Sequence, residues 1–282
     1  MDHIGEFFPD SPIWFRWLGR LAAPLFFYAL AVGFQHTRNR KKYLLRLYLA
    51  NVGMVFFNQI MCMLQRKLDY VAYQPKNHNI FTTLFCAGVL ICIWENRKEK
   101  KKFFTYIGIY IFWQAMVMGL AILAEAFDYV WRGNALLQTV LRTNYIFPLL
   151  GGIWDAEGGV FFIVLGIWLY CAVENKWKLA LRYILFCGAY MFMCQGDILY
   201  RIMSRFSFWG YHKLADVIYF GSSFVGIPLG TSDLSLLTEF YQWMMIGALP
   251  IMLSCNGKRG KSLKWLFYAA YPLQFLVLYG IS

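Results

Sequence analysis

The stretch Arg38-Asn39-Arg40-Lys41-Lys42-Tyr43-Leu44-Leu45-Arg46 carries five basic residues in nine positions. Apolar runs flank it, each about 20 residues long, the length that crosses the hydrocarbon of a bilayer. The pattern recurs. Segments 97–102, 176–182 and 258–264 hold five, three and four basic residues, so the four segments together carry 17 of the 27 Lys and Arg. Every second loop between apolar runs is packed in this way. That alternation predicts a chain that threads a membrane repeatedly, with the four basic loops in the cytoplasm.

Composition points the same way. Sixty per cent of the residues are apolar and 15% are charged, whereas a soluble domain devotes about a quarter of its residues to charge. The aromatic share of 20% suits a protein with Trp and Tyr at membrane–water interfaces. A net charge of +12 would suit nucleic acid if it lay on one soluble face. Here it sits in short loops between apolar runs, so topology explains it and no nucleic-acid partner is expected. The seven cysteines form no CxxC pair, which argues against a disulfide framework or a metal site and for packing within helices. The N-terminus is acidic through Asp2, Glu6 and Asp10, unlike a cleavable signal peptide.

Eight spans follow, at 15–35, 43–64, 79–96, 103–125, 158–174, 179–203, 236–254 and 263–281. Inside a bilayer each backbone polar group needs a partner within the protein, so the spans are read as helices. The expected fold is an all-α polytopic bundle, with residues 1–282 as one membrane domain. Segments 136–153 and 215–230 stay open between surface helices and re-entrant pieces. If they span, they come as a pair and make ten. The parity of the basic loops puts the N-terminus outside, and a preceding span is expected to be missing from this chain.

Ionisable groups at membrane depth are rare and are functional candidates by default. Arg20 lies in the outer part of the first span. Asp197 lies 18 residues into the sixth span, roughly 27 Å from its cytoplasmic end. The two are expected to pair, either as a structural ion pair that fixes register or as an anchor for a ligand. His36 closes the first span on the cytoplasmic side. It suits a general base for acyl transfer and equally an interfacial polar residue. Asp2 and His3 are neighbours at the opposite end. Asn79 opens the third span, as a helix N-cap or as a substrate contact. Gln114, Gln195, Gln242 and Gln274 are expected to bond across helices. Tyr271 and Gln274 flank Pro272, which kinks the last span and gives room for a substrate.

Several strings are familiar in combination. They are Asp2-His3-Ile4-Gly5, Gly19-Arg20-Leu21-Ala22-Ala23-Pro24-Leu25-Phe26, and Gly33-Phe34-Gln35-His36-Thr37 running into Lys42-Tyr43-Leu44-Leu45-Arg46-Leu47. Near the end come Asn256-Gly257-Lys258-Arg259-Gly260 and Phe267-Tyr268-Ala269-Ala270-Tyr271-Pro272-Leu273. In this order they resemble the TraX family, multi-spanning proteins linked to N-acetylation of conjugative pilin and more distantly similar to membrane acyltransferases that use acetyl-CoA. The resemblance implies a bacterial plasma-membrane protein. It would move an acetyl or similar group from acetyl-CoA to an amine or hydroxyl of a pilin or surface-glycan acceptor, with no metal. It also implies His3 or His36 as base, Arg20 holding an anionic or carbonyl group, and Asp2 and Asp197 tuning charge. Three departures stand out. The Asp-His-Ile-Gly string closes an N-terminal span in the family, and here the chain starts one residue before it. Val32 replaces a frequent acidic residue. Gln274 replaces the His of a Tyr-Pro-Leu-His string, and a glutamine cannot shuttle a proton. The competing reading is a transporter or an assembly factor on the same scaffold, although no internal repeat of the transporter kind is visible.

Overall fold

In the computed structural model, residues 2–8, 10–67, 79–130, 143–154, 156–196, 201, 205, 211–228, 231, 233–255 and 264–281 are described. Among them every regular element is helical. The α-helices are α1 Asp2–Phe7, α2 Trp14–Gly19, α3 Ala22–His36, α4 Arg40–Lys67, α5 Ile80–Glu95 and α6 Lys100–Val130. They continue with α7 Thr143–Leu149, α8 Gly159–Tyr170, α9 Lys176–Gln195, α10 Tyr211–Val225, α11 Ala248–Ser254 and α12 Lys264–Ile281, and 3-10 helices occupy Asn96–Lys98 and Tyr241–Gly247. Among the described residues, five stretches are long and apolar enough to cross a membrane: Trp14–His36, Arg40–Met61, Ile80–Lys98, Lys100–Ala124 and Lys176–Gln195. They coincide with the first, second, third, fourth and sixth apolar runs. The chain is a multi-pass, all-α membrane protein. Gly159–Tyr170 and Tyr268–Ile281 are apolar but shorter.

The run 236–254 differs from the single span expected of it. It passes from turns into the 3-10 helix Tyr241–Gly247 and then into the seven-residue α11. One local cause is visible: Pro250 has no N–H to give the Ile246 carbonyl, so an α-ladder loses a rung there. The Met245 carbonyl, in the 3-10 stretch, also accepts from the buried Tyr183 hydroxyl at 2.5 Å.

The chain forms two compact units, residues 36–167 and residues 1–35 with 168–282. The unit boundaries fall at the last residue of α3 and within α8, which is why no linker is legible in the sequence. In the unit 36–167, α5 is the core. Ten of its residues are buried, from Ile80 to Ile93, as expected for a helix apolar all round. α4 runs antiparallel to it. Arg40 at the start of α4 bonds Glu95 at the end of α5 at 2.9 Å, and Asn51 further along α4 meets Thr82 near the start of α5 at 2.7 Å. α6 turns Phe104, Ile109, Ile111, Phe112, Ile122 and Leu123 outward. In water that band would be an aggregation hazard; in a bilayer it is the lipid-facing surface.

The described part of segment 136–153 is folded inward. Pro148, Gly151 and Gly152 are buried. Asn51 donates to the Pro148 carbonyl at 2.6 Å, Tyr48 to Leu149 at 2.8 Å, Trp113 to Leu150 at 2.9 Å and Gln114 to Gly151 at 3.1 Å. Gln114 also accepts from the Ile153 N–H at 3.0 Å. Irregular backbone at membrane depth needs such partners. Gly151 sits at φ 65, a conformation that glycine adopts at no steric cost.

In the other unit, α1 packs on α12 and α2 on the 3-10 helix. α9 holds that 3-10 helix through Tyr183. Lys176 at the start of α9 donates to the Leu253 carbonyl near the end of α11 at 2.7 Å. This brings the third basic loop close to the chain that leads into the fourth.

Candidate functional site

The polar side chains of this second unit converge on Tyr241 and Gln242. Arg20 donates from Nη1 to Gln242 Oε1 at 2.8 Å, and its guanidinium carbon lies 5.1 Å from the centre of the Tyr241 ring. Cation–π contact of this kind strengthens as water is excluded. Arg16, one helical turn earlier, donates from Nη1 to the Tyr241 hydroxyl at 3.1 Å and from Nη2 to the Gly5 carbonyl at 2.6 Å. Tyr190 on α9 lies within electrostatic reach of Arg20 and stacks on Phe240, ring centres 6.5 Å apart. Trp17 and Trp243 donate to the carbonyls of Leu237 and Leu236, each at 2.8 Å, and fix the turns before the 3-10 helix. The arrangement puts two guanidiniums and a phenol on one short element. Guanidiniums of this kind stabilise a developing oxyanion or hold a carboxylate or phosphate.

His3 lies on α1, against α12. Its ring centre is 4.4 Å from that of Phe275 and 6.2 Å from that of Tyr271, the latter edge-on at 84°. Phe7, one turn later, meets Phe275 and Tyr279 at 6.5 and 4.9 Å. α1 therefore runs in the same direction as α12, with His3 at the level of Tyr271 and Phe7 nearer the end of the helix. Of the expected site residues, the structure brings His3 and Tyr271 together directly. Tyr271 is buried at 6% exposure, and Gln274 is half-buried beside it in sequence. Arg20 meets Tyr241 and Gln242, and Arg16 links Tyr241 to the Gly5 carbonyl of α1.

Other expectations fall elsewhere. His36 is exposed at the end of α3, where an interfacial polar residue would sit. Asp197 and the side chain of Asp2 lie outside the described residues, and so does the expected Arg20–Asp197 pair. Asn79 occupies the N-cap position of α5 but does not cap it. Its amide donates to Asn51 Oδ1 at 2.7 Å and to the Asn51 carbonyl at 3.2 Å. Thr82 also bonds Asn51, so the amide is drawn into the packing of α4 on α5. Gln114 and Gln242 do bond between segments, as intramembrane glutamines are expected to. Arg16 and Tyr241 were not singled out in the sequence. The available signal was the four-residue spacing from Arg16 to Arg20, which puts both on one face of a helix. For Tyr241 the only local signal was its place next to Gln242.

Among the described residues, no group of three or more His, Cys, Asp or Glu is placed to hold a metal ion. Comparison with curated proteins finds no match, and none is found among solved structures. The family model described as TraX protein matches residues 1–191. That range contains His3, Gly5, Arg16 and Arg20 and ends before Tyr241 and Tyr271. Since the match covers well over half of its 282 residues, the chain belongs to the TraX family.

Proposed function

We propose that this chain is an integral membrane acyltransferase of a bacterial plasma membrane. It takes an acetyl group from acetyl-CoA and delivers it to an amine or hydroxyl of a pilin or surface-glycan acceptor. One observation supports the reading: α1, which carries His3 within the family-matched region, is held at the Gly5 carbonyl by Arg16, whose other arm meets Tyr241 beneath the Arg20 guanidinium. In this account His3 in its neutral form accepts the proton of the acceptor amine or hydroxyl as that atom attacks the thioester carbonyl. Arg20 stabilises the oxyanion of the tetrahedral intermediate. The coenzyme A thiolate then leaves and takes the proton from His3, which returns the imidazole to its starting form. Gln274 cannot relay a proton in this scheme and serves as a hydrogen-bonding neighbour. The basic loops remain a topology signal and have no assigned part in the chemistry.

Ligand binding tests the reading before any acceptor is known. A ligand selective for the folded state stabilises it by RT ln(1 + [L]/Kd), about 2.7 kcal/mol at a hundredfold excess over Kd. Acetyl-CoA is expected to raise the unfolding temperature of the purified protein in a concentration-dependent way, and free acetate much less. No shift at millimolar acetyl-CoA would remove the donor from this account.

A further inference from the structure

We propose that Arg16 is the positioning residue that sets His3 in the site, and that residue 5 is a glycine because the Arg16 side chain occupies the space of its missing Cβ. The proposal rests on the reading of His3 as the base. α1 has six residues, too few to hold a helical shape by itself, so its contacts decide where it lies. On one side the rings of His3 and Phe7 lie against α12. On the other, Arg16 Nη2 donates to the Gly5 carbonyl at 2.6 Å. A Cβ at Gly5 would stand 2.6 Å from Arg16 Cγ and 3.0 Å from its Nε. The first is closer than real Cβ contacts come and the second is tighter than most of them, and Cγ is near the root of the side chain, where it has little freedom to move aside.

The other arm of the same guanidinium reaches the Tyr241 hydroxyl at 3.1 Å. The Tyr241 ring in turn lies under Arg20, and Gln242, the next residue, accepts from Arg20. One planar fork thus links the helix that carries His3 to the element that orients Arg20. The fork geometry matters more than the charge. A lysine ammonium is a compact point charge on a flexible stem and does not reproduce two divergent bonds of a fixed plane.

The position of His3 can be read without turnover. Its ring sits 4.4 Å from Phe275, so its ring proton resonance carries an aromatic ring-current shift. In the full-length purified protein with labelled histidine, that resonance is assigned by its loss in His3→Gln. It is expected to move towards the unperturbed histidine position in Arg16→Gln, Arg16→Lys and Gly5→Ala, while the resonances of the other three histidines stay in place and report an intact fold. Tyr241→Phe removes one acceptor without touching α1, so it serves where the others fail to fold. It is expected to move the same resonance by less. An unmoved His3 resonance in folded Arg16→Gln or in Tyr241→Phe overturns the proposal, as does Arg16→Lys matching the parent. The two claims fail separately. An unmoved resonance alongside lost acetyl transfer in His3→Ala sinks the positioning role alone. A moved resonance alongside full acetyl transfer in His3→Ala sinks the base.

Discussion

At the scale of single residues, the glycines divide into those that the packing requires and those that it does not. Gly151 has φ 65, and a Cβ there would lie 2.8 Å from the Phe85 ring. Gly53 lies within α4, and a Cβ there would meet nothing within 4 Å. Gly151→Ala is therefore expected to cost about 1–3 kcal/mol through backbone strain and displacement of Phe85. Gly53→Ala should be neutral or stabilise by roughly 0.5–1 kcal/mol, the ordinary helix preference for Ala. Thermal unfolding of the two variants in one detergent checks the contrast. Equal effects would show that the inward-folded loop after α7 is not packed as described. A sequence records that a glycine is present but not its φ, so this division was not legible beforehand. The same holds for Asn79, whose place before an apolar run reads as a cap. The outcome turned on Asn51, 28 residues away, whose side-chain and backbone oxygens both accept from the Asn79 amide.

Helices were the legible part of the elements. The five long ones follow directly from apolar length and basic ends, because the bilayer sets both. Where length falls short, local chemistry decides. The run 236–254 has an apolar sequence, yet Pro250 removes a rung of its ladder, and the 3-10 stretch before it is held by the Tyr183 hydroxyl on α9, which the local sequence does not show. The ends of α4 and α5 give a further check on topology. Arg40 and Glu95 bond at 2.9 Å, each with 29% of its side chain exposed, which puts the basic segments 38–46 and 97–102 at the same end of their unit. Single cysteines at positions 41 and 101, in a cysteine-free background, are expected to react with a membrane-permeant maleimide and to resist an impermeant one in intact cells. Reaction of either with the impermeant reagent would overturn the cytoplasmic placement of that loop. Reaction of one alone would also contradict the packing of α4 on α5.

For the whole molecule, class and family were readable from charge alternation and from ordered short strings, because both are one-dimensional signals. The meeting of His3 with Tyr271, and of Arg16 with Tyr241 225 residues later, is a property of the packed chain and left no such trace. What the packing adds is a connected polar group, from the Gly5 carbonyl of α1 through Arg16 and Tyr241 to Arg20, inside an apolar helical protein of the TraX family. His3 is packed against the rings of Tyr271 and Phe275, and His36 is exposed at the end of α3. The most direct measurement of the central claim is transfer of radiolabelled acetyl from acetyl-CoA to endogenous acceptors by membranes containing the chain, compared between His3→Ala and His36→Ala at matched expression. General-base assistance contributes typically 10²–10⁴-fold, so His3→Ala is expected to abolish detectable transfer and His36→Ala to retain most of it. Loss in His36→Ala with retention in His3→Ala would move the chemistry to the other end of α3. Full transfer in both variants would remove histidine base catalysis from the account.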